Sequence, residues 1–339
     1  MKKFSLGCLG ALLLVVLIFS LFLNAVLVTS SAGEAALSVN NMQRNPFDEQ
    51  VIAGSIGSDG RVAVIELFGV IGYSQPGDLY QNMVDEIIKK IKLVESDNAT
   101  KAVIVRIDSP GGEVTASDVI YHHLAELDKI KPVIVYMDSV AASGGYYSAI
   151  AGRYLMANEL TITGSIGVVL QSVNLEKLGD KIGISAVTIK SGKLKDLLNP
   201  FRPVTEEEET LLQNLIDESY SRFVGLVAQE REIDEEKLRS TIADGRILSG
   251  RQALESGLID ETGYFEDAIE KATELGGIDA DSEVYIMNAP VSFGRVLKLL
   301  GSRASQTKDT KLRLELGGEG IPLKPGVLYY LTPTFISPM

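Results

Sequence analysis

Residues 101–147 read KAVIVRIDSPGGEVTASDVIYHHLAELDKIKPVIVYMDSVAASGGYY. KAVIVRID (101–108) is a near-continuous apolar run, the pattern of a parallel strand covered on both faces. VTASDVIYHHLAELDKI (114–130) has an amphipathic helical period, and KPVIVYMD (131–138) is a second β-rich run. Both strands end in turns of small residues, DSPGG (108–112) and SVAASGG (139–145). Strand, helix, strand in this order predicts α/β architecture with right-handed crossovers. Parallel neighbours of this kind bring their terminal loops together at the carboxyl edge of the sheet, where α/β proteins bind ligands.

The alternation continues on either side. VAVIELFGVIG (62–72) predicts a strand, and DLYQNMVDEIIKKIKLVESD (78–97) a helix with Leu79, Met83, Ile87, Ile91 and Val94 on one face. RYLMANE (153–159) and GSIGVVLQSV (164–173) read as short strands. Thr205 and Glu208 have capping-box spacing at the start of a long helix, whose apolar face carries Leu211, Leu212, Leu215, Ile216, Phe223 and Val227. EVYIMN (283–288) and GVLYYLT (326–332) close the chain as strands. Residues 30–58 show neither period and read as a tether, so the folded domain is expected over 59–290, with a C-terminal extension over 291–339.

Of the 339 residues 45% are hydrophobic, enough for a sizeable core. The net charge of −13 argues against nucleic acid, which needs clustered lysine and arginine. Cys8 is the single cysteine, so neither a disulfide nor a cysteine metal site is expected within the chain, and no cofactor or metal is implied. Lys2 and Lys3 precede a run from Phe4 to Val28 without charge, about the length of a membrane-spanning helix. Residues 1–29 are therefore expected to be an uncleaved anchor. Its lysines place the N-terminus in the cytoplasm and the rest of the chain outside the cell membrane's cytoplasmic face.

Three constellations carry possible chemistry. Ser143 stands at the end of the strand 131–138 and its small-residue turn, before a helix-compatible run. Gly144 and Gly145 allow close backbone approach and leave N–H groups at a helix start. The turn suits a nucleophile, and equally a tight connection. In DSPGG, Gly111 and Gly112 can turn N–H groups toward the same edge, as oxyanion donors or simply as a β-turn. In IKSGKLKDLLNP (189–200), Lys190, Lys193 and Lys195 compete as general bases. A lysine fills that role only when neutral, which requires its pKa to fall from about 10.4 toward 7. The alternative is a solvated charge. His122 and His123 are the only histidines, adjacent in a helix, so at most one of them faces any site. Ala141 breaks the G-x-S-x-G pattern, and Ser305 to Lys308 matches S-x-x-K without strand context.

Taken in order, VAVIELFGVIG, VIVRIDSPGGEVTASD, PVIVYMDSVAASGGYYSA, TGSIGVV, IKSGKLKD and ADGRILSGRQALESGLIDETGYFEDAI resemble the half-length signal peptide peptidase A group of S49 serine peptidases. The resemblance runs from about Arg61 to Ala289. It implies the Clp protease/crotonase-like fold of repeated ββα units in a spiral. It implies Ser143 as nucleophile and Lys195 as general base in a Ser-Lys dyad. Gly144 with Gly112, or else Gly111, would supply the oxyanion hole, and Ser191 would orient the lysine. Implied partners are the bilayer, remnant signal peptides as substrates, and further copies of the chain in a ring, where the serine pairs with a lysine of its own subunit or of a neighbour's. A crotonase-like acyl-CoA enzyme and a silent peptide-binding scaffold are the alternative readings. The apolar tail with Tyr329 and Tyr330 is expected either as a last sheet strand or as an occupant of the substrate groove.

Overall fold

A computed structural model describes residues 45–73, 82–289 and 328–331, with Ser20 alone before them. The chain divides into two compact units, residues 1–49 with 288–306 and residues 50–287 with 307–339. The second unit holds the sheet and the candidate site.

The expected strands and helices form along the chain, beginning with β1 (Asp48–Ala53), β2 (Arg61–Phe68) and α1 (Met83–Ser96). β1 falls inside the stretch read as a tether, because a six-residue strand with one Val-Ile pair gives too short a period to register. In α1 the buried face is Val84, Ile87, Ile91 and Val94, one position displaced from Met83. Asn82 caps the helix by accepting the Val84 N–H at 3.0 Å, which fixes its start. Leu79 lies outside the described residues.

β3 (Thr100–Ser109), β4 (Gly111–Glu113), α2 (Val114–Asp128), β5 (Val133–Ala142) and α3 (Gly144–Ala149) follow, the last starting directly after Ser143. β6 (Tyr154–Ala157), β7 (Ile162–Gly164), α4 (Glu176–Ile182) and the long α5 (Glu206–Glu230) come next. The Thr205 and Glu208 capping box is present at the start of α5. α6 (Glu235–Thr241), β8 (Ile247–Ser249), α7 (Gly250–Glu255), β9 (Glu261–Thr262), α8 (Phe265–Gly276), β10 (Glu283–Asn288) and β11 (Tyr329–Leu331) complete the order.

The strands run in the order β10-β2-β3-β5-β6-β9, and these neighbours are parallel. β7 pairs parallel with the end of β5 and antiparallel with β8, so the sheet is mixed. Val103, Val105, Val133, Val135 and Met137 of the two central strands are buried. Each contributes about 1.5–3 kcal/mol as a buried apolar side chain. GSIGVVLQSV does not form the expected strand: Gly164 and Ser165 both take positive φ, 72° and 51°, and turn the chain out of the sheet. Of that run, Gly164 closes β7 and Val169 makes an isolated bridge to Tyr329.

Among the described residues no helix is long and apolar enough to cross a membrane. Ser20 apart, the apolar run 4–28 lies outside them, as does the stretch from Ser305 to Lys308.

Candidate active site

The parallel register of β3 and β5 delivers both small-residue turns to one edge. β3 bulges between Ile107 and Ser109 and then pairs Ser109 with Ala141. Asp108 Oδ1 accepts the Val140 N–H at 3.1 Å, tying the two strand ends together. Beyond β5, Ser143 adopts φ 56° and ψ −115°, a region that L-residues seldom occupy and that costs on the order of 1–3 kcal/mol. Two backbone bonds hold it: its N–H donates to Gly164 O, and its carbonyl accepts from Tyr147 N–H, both at 2.8 Å. Ser143 Oγ is buried and has no hydrogen-bond partner among the described residues. A buried hydroxyl left in this state costs about 1–3 kcal/mol, and such groups concentrate where chemistry needs them.

The neighbouring glycines separate by what their N–H groups do. Gly111, at φ 102°, donates its N–H to Ser109 Oγ at 3.1 Å and so has little to offer a ligand. Gly112 pairs with Tyr330 in the antiparallel register of β4 and β11, while two residues on Val114 N–H donates to Leu328 O at 3.1 Å. The alternation of the ladder therefore aims the Gly112 N–H at the Tyr330 carbonyl. Gly144 lies against the same spot. A Cβ there would stand 3.0 Å from Gly112 N, 3.1 Å from Tyr330 O and 2.4 Å from Ser117 Oγ, which no side chain tolerates. Two backbone nitrogens and one carbonyl oxygen thus crowd together beside the nucleophile candidate.

β11 does not extend the main sheet. It lies between β4 and Val169, whose N–H and carbonyl exchange bonds of 3.0 and 3.1 Å with Tyr329. The Tyr330 side chain is fully buried, stacked on Tyr147 and tilted against Phe223 with centroids 4.7 Å apart. Its hydroxyl donates to Ser219 O at 2.9 Å. Tyr147 in turn donates to Asp118 Oδ1 at 2.6 Å, and Arg222 grips the same carboxylate. Burial, followed by the Asp118 bond, pushes the Tyr147 phenol well above its ordinary range. Of this pocket the sequence offers Phe223 on a helical face and Tyr330 in the tail, whereas Tyr147, Asp118 and Arg222 share no period or motif.

The three lysines also separate. Lys190 Nζ pairs with Asp196 Oδ1, and Lys193 Nζ pairs with Glu207. Among the described residues no carboxylate is paired with Lys195, which is exposed beside Gly192, Lys193, Leu194 and Glu207. Ser191 is exposed as well. Among the described residues no hydrogen bond joins Ser143 Oγ to Lys195, since Ser143 Oγ has no partner there. His122 and His123 pack edge to face on one another in α2. Among the described residues no cluster of three His, Cys, Asp or Glu is placed to hold a metal.

The family model for peptidase family S49 matches residues 125–279, and the model for Clp protease matches residues 71–163. A Synechocystis chain named as a candidate protease is 47% identical over 195 residues, covering 58% of this chain and 70% of that one. The chain belongs to peptidase family S49. The chloroplastic serine protease SPPA of Arabidopsis thaliana is 37% identical over 240 residues, 69% of this S49 chain and 35% of the relative. Protease 4 of Haemophilus influenzae is 32% identical over 251 residues, 73% and 40% of the two chains. The S49 chain thus spans less than half the length of these last two. It is a serine peptidase with a Clp protease-like α/β domain, as the sequence resemblance implied.

Proposed function

We propose that this S49 chain is a membrane-anchored endopeptidase in which Ser143 attacks a peptide carbonyl and Lys195 is the general base. The observation that carries the reading is the buried, unpartnered Ser143 Oγ beside the Gly112 and Gly144 nitrogens. A neutral Lys195 amine takes the Ser143 hydroxyl proton as Oγ bonds to the carbonyl carbon. The negative charge that develops on the carbonyl oxygen is held by the N–H groups of Gly112 and Gly144, worth about 3–4 kcal/mol per donor. The resulting ammonium then protonates the leaving amine as the C–N bond breaks. Water, deprotonated by the same lysine, releases the acyl group from Ser143.

The base comes from a neighbouring copy in this reading. Supporting it, Ser143 Oγ lacks a partner among the described residues, while Lys195 sits on an irregular segment bearing strongly exposed apolar residues, Val187 at 87% and Ile189 at 96%. Exposed apolar side chains this close in sequence are available to a partner surface. Ser191, four residues before Lys195, orients its ammonium. The substrate lies extended between β4 and Val169, the place taken here by the tail, with an apolar side chain in the Tyr147 and Phe223 pocket. Remnant signal peptides fit such a groove, and an anchor over residues 4–28 keeps the site at the extracytoplasmic membrane face where they are left.

Mixing tests the reading. Ser143→Ala and Lys195→Ala are each inactive on a short apolar peptide, and mixed oligomers of the two recover part of the turnover. Full activity of either single variant sinks the assignment, and no recovery on mixing sinks the shared site.

A further inference from the structure

Lys195 lies in residues 184–204, a stretch without regular helix or strand. Such a segment has no ladder to hold a side chain, so a lysine on it is positioned only by local anchors. Three short-range backbone bonds turn the stretch on itself, from Lys195 N–H to Gly192 O, Leu197 N–H to Leu194 O and Asn199 N–H to Asp196 O. Arg202, together with the Lys193–Glu207 pair and the Leu175 N–H bond to Pro200 O, fastens this turn to the rest of the domain. Its guanidinium reaches both Asp196 carboxylate oxygens, at 2.9 and 3.0 Å, and the Asp196 carbonyl at 3.0 Å. From the other edge it bonds Glu208 Oε2 at 2.8 Å, Glu208 Oε1 and the Pro203 carbonyl.

Glu208 is 2% exposed, and its Oε2 also accepts the Thr205 N–H at 2.9 Å. The capping box of α5 is thereby the far end of a clamp whose near end is the residue following Lys195. The charges are matched as well. Lys190 takes the remaining capacity of Asp196, and Glu207, in the first turn of α5, takes Lys193. Hydrogen bonds from Arg202 and then Lys190 hold the Asp196 carboxyl far below its ordinary range, and Arg202 does the same for Glu208. Lys195 is left as the lysine of the turn with no carboxylate of its own.

We propose that Arg202, gripping Asp196 and Glu208, is the positioning group for the Lys195 amine. The clamp sets where the turn carries Lys195 relative to the first turn of α5. It also spends the Asp196 charge on Lys190 and Arg202. The inference rests on the reading of Lys195 as base, and the two fail separately.

The test is the pH profile of kcat and kcat/KM for the full chain on a quenched fluorescent peptide, in Arg202→Lys, Asp196→Asn, Asp196→Glu and Lys195→Ala. The ionic groups facing the turn are Lys190, Lys193, Asp196 and Arg202 on the segment and Glu206, Glu207 and Glu208 on α5. Arg202→Lys keeps the charge and loses the fork, so kcat falls about 10- to 100-fold while KM stays within about twofold. Asp196→Asn removes an anion adjacent to Lys195 and frees the Lys190 cation. Both lower the pKa of the base, so the acid limb moves down by about half to one pH unit. Asp196→Glu, which restores the charge, returns the limb.

Wild-type kcat in Arg202→Lys, or an unmoved acid limb in Asp196→Asn, overturns the clamp while an inactive Lys195→Ala still upholds the dyad. An active Lys195→Ala removes the dyad whatever the clamp variants do. Should Arg202→Lys melt below the assay temperature, Asp196→Asn against Asp196→Glu decides by the same limb.

Discussion

The rings of Tyr147 and Tyr330 stack with centroids 4.9 Å apart and 21° between their planes. Tyr147 belongs to α3, the short helix that begins immediately after Ser143, so the element that presents the candidate nucleophile also holds the C-terminal strand. The nucleophile turn and the tail are mechanically one feature, and each can be loosened through the other.

Tyr330→Ala removes the stacked ring and the bond to Ser219 O. The tail then leaves the groove, and KM for a short apolar peptide falls by about tenfold as a tethered competitor is lost. Steady-state kinetics beside limited proteolysis of the C-terminus check this. An unchanged KM with a newly cleavable tail shows that the strand does not occupy the peptide's place.

Ser143→Gly abolishes turnover and raises stability together. It removes a hydroxyl with no partner and places at φ 56° a residue without a Cβ, for a gain of about 1 kcal/mol or more. Thermal melting in parallel with peptide hydrolysis reads both. A lower melting temperature would mean that the Ser143 hydroxyl has a structural role.

Gly112→Ala places a Cβ 1.9 Å from the Ile71 carbonyl oxygen, a contact only backbone movement relieves. The Gly112 N–H leaves its aim, and kcat falls about 10²- to 10³-fold, the usual loss for one oxyanion donor. Acylation of Ser143 by a fluorophosphonate probe slows in step. Normal acylation in a folded variant would assign the oxyanion elsewhere.

Acid loosens the lysine segment before it melts the sheet. Arg202 lowers the Glu208 carboxyl to about 2 and Asp196 further, so in the folded state both stay charged below their ordinary range of about 4. A lowered carboxyl contributes stability that is fully present above its unfolded pKa and is lost as pH falls through the folded one. The protection factors of the amides across residues 184–204, with the intrinsic pH dependence of exchange divided out, therefore fall between about pH 4.5 and about pH 2 while those of β3 and β5 hold. In Glu208→Gln part of that acid dependence disappears. Equal protection factors at pH 6 and pH 3 would remove Arg202 as the anchor.

Legibility followed the range of the interactions. The central strands, α2, α5 and its capping box were readable because each rests on a period or a spacing within a few residues. GSIGVV misled because two positive φ values, at Gly164 and Ser165, cancel a strand whose composition is otherwise suitable. α5 was legible as a helix but not in its burial: Phe223 and Val227 are buried while Leu215 is 44% exposed. An apolar period says which residues share a face, not which part of that face finds a partner.

By itself the sequence determined the α/β order, the two small-residue turns at the carboxyl edge and Ser143 within one of them. All of these follow from local propensity and pattern. It could not rank Gly111 against Gly112, or choose among Lys190, Lys193 and Lys195 without the family resemblance. The tertiary structure separates their partners: Ser109 Oγ takes the Gly111 N–H, and Asp196 and Glu207 take Lys190 and Lys193. Which donors and charges remain free depends on hydrogen bonds that only the folded backbone closes, and the Tyr330 carbonyl meets Gly112 from 218 positions along the chain.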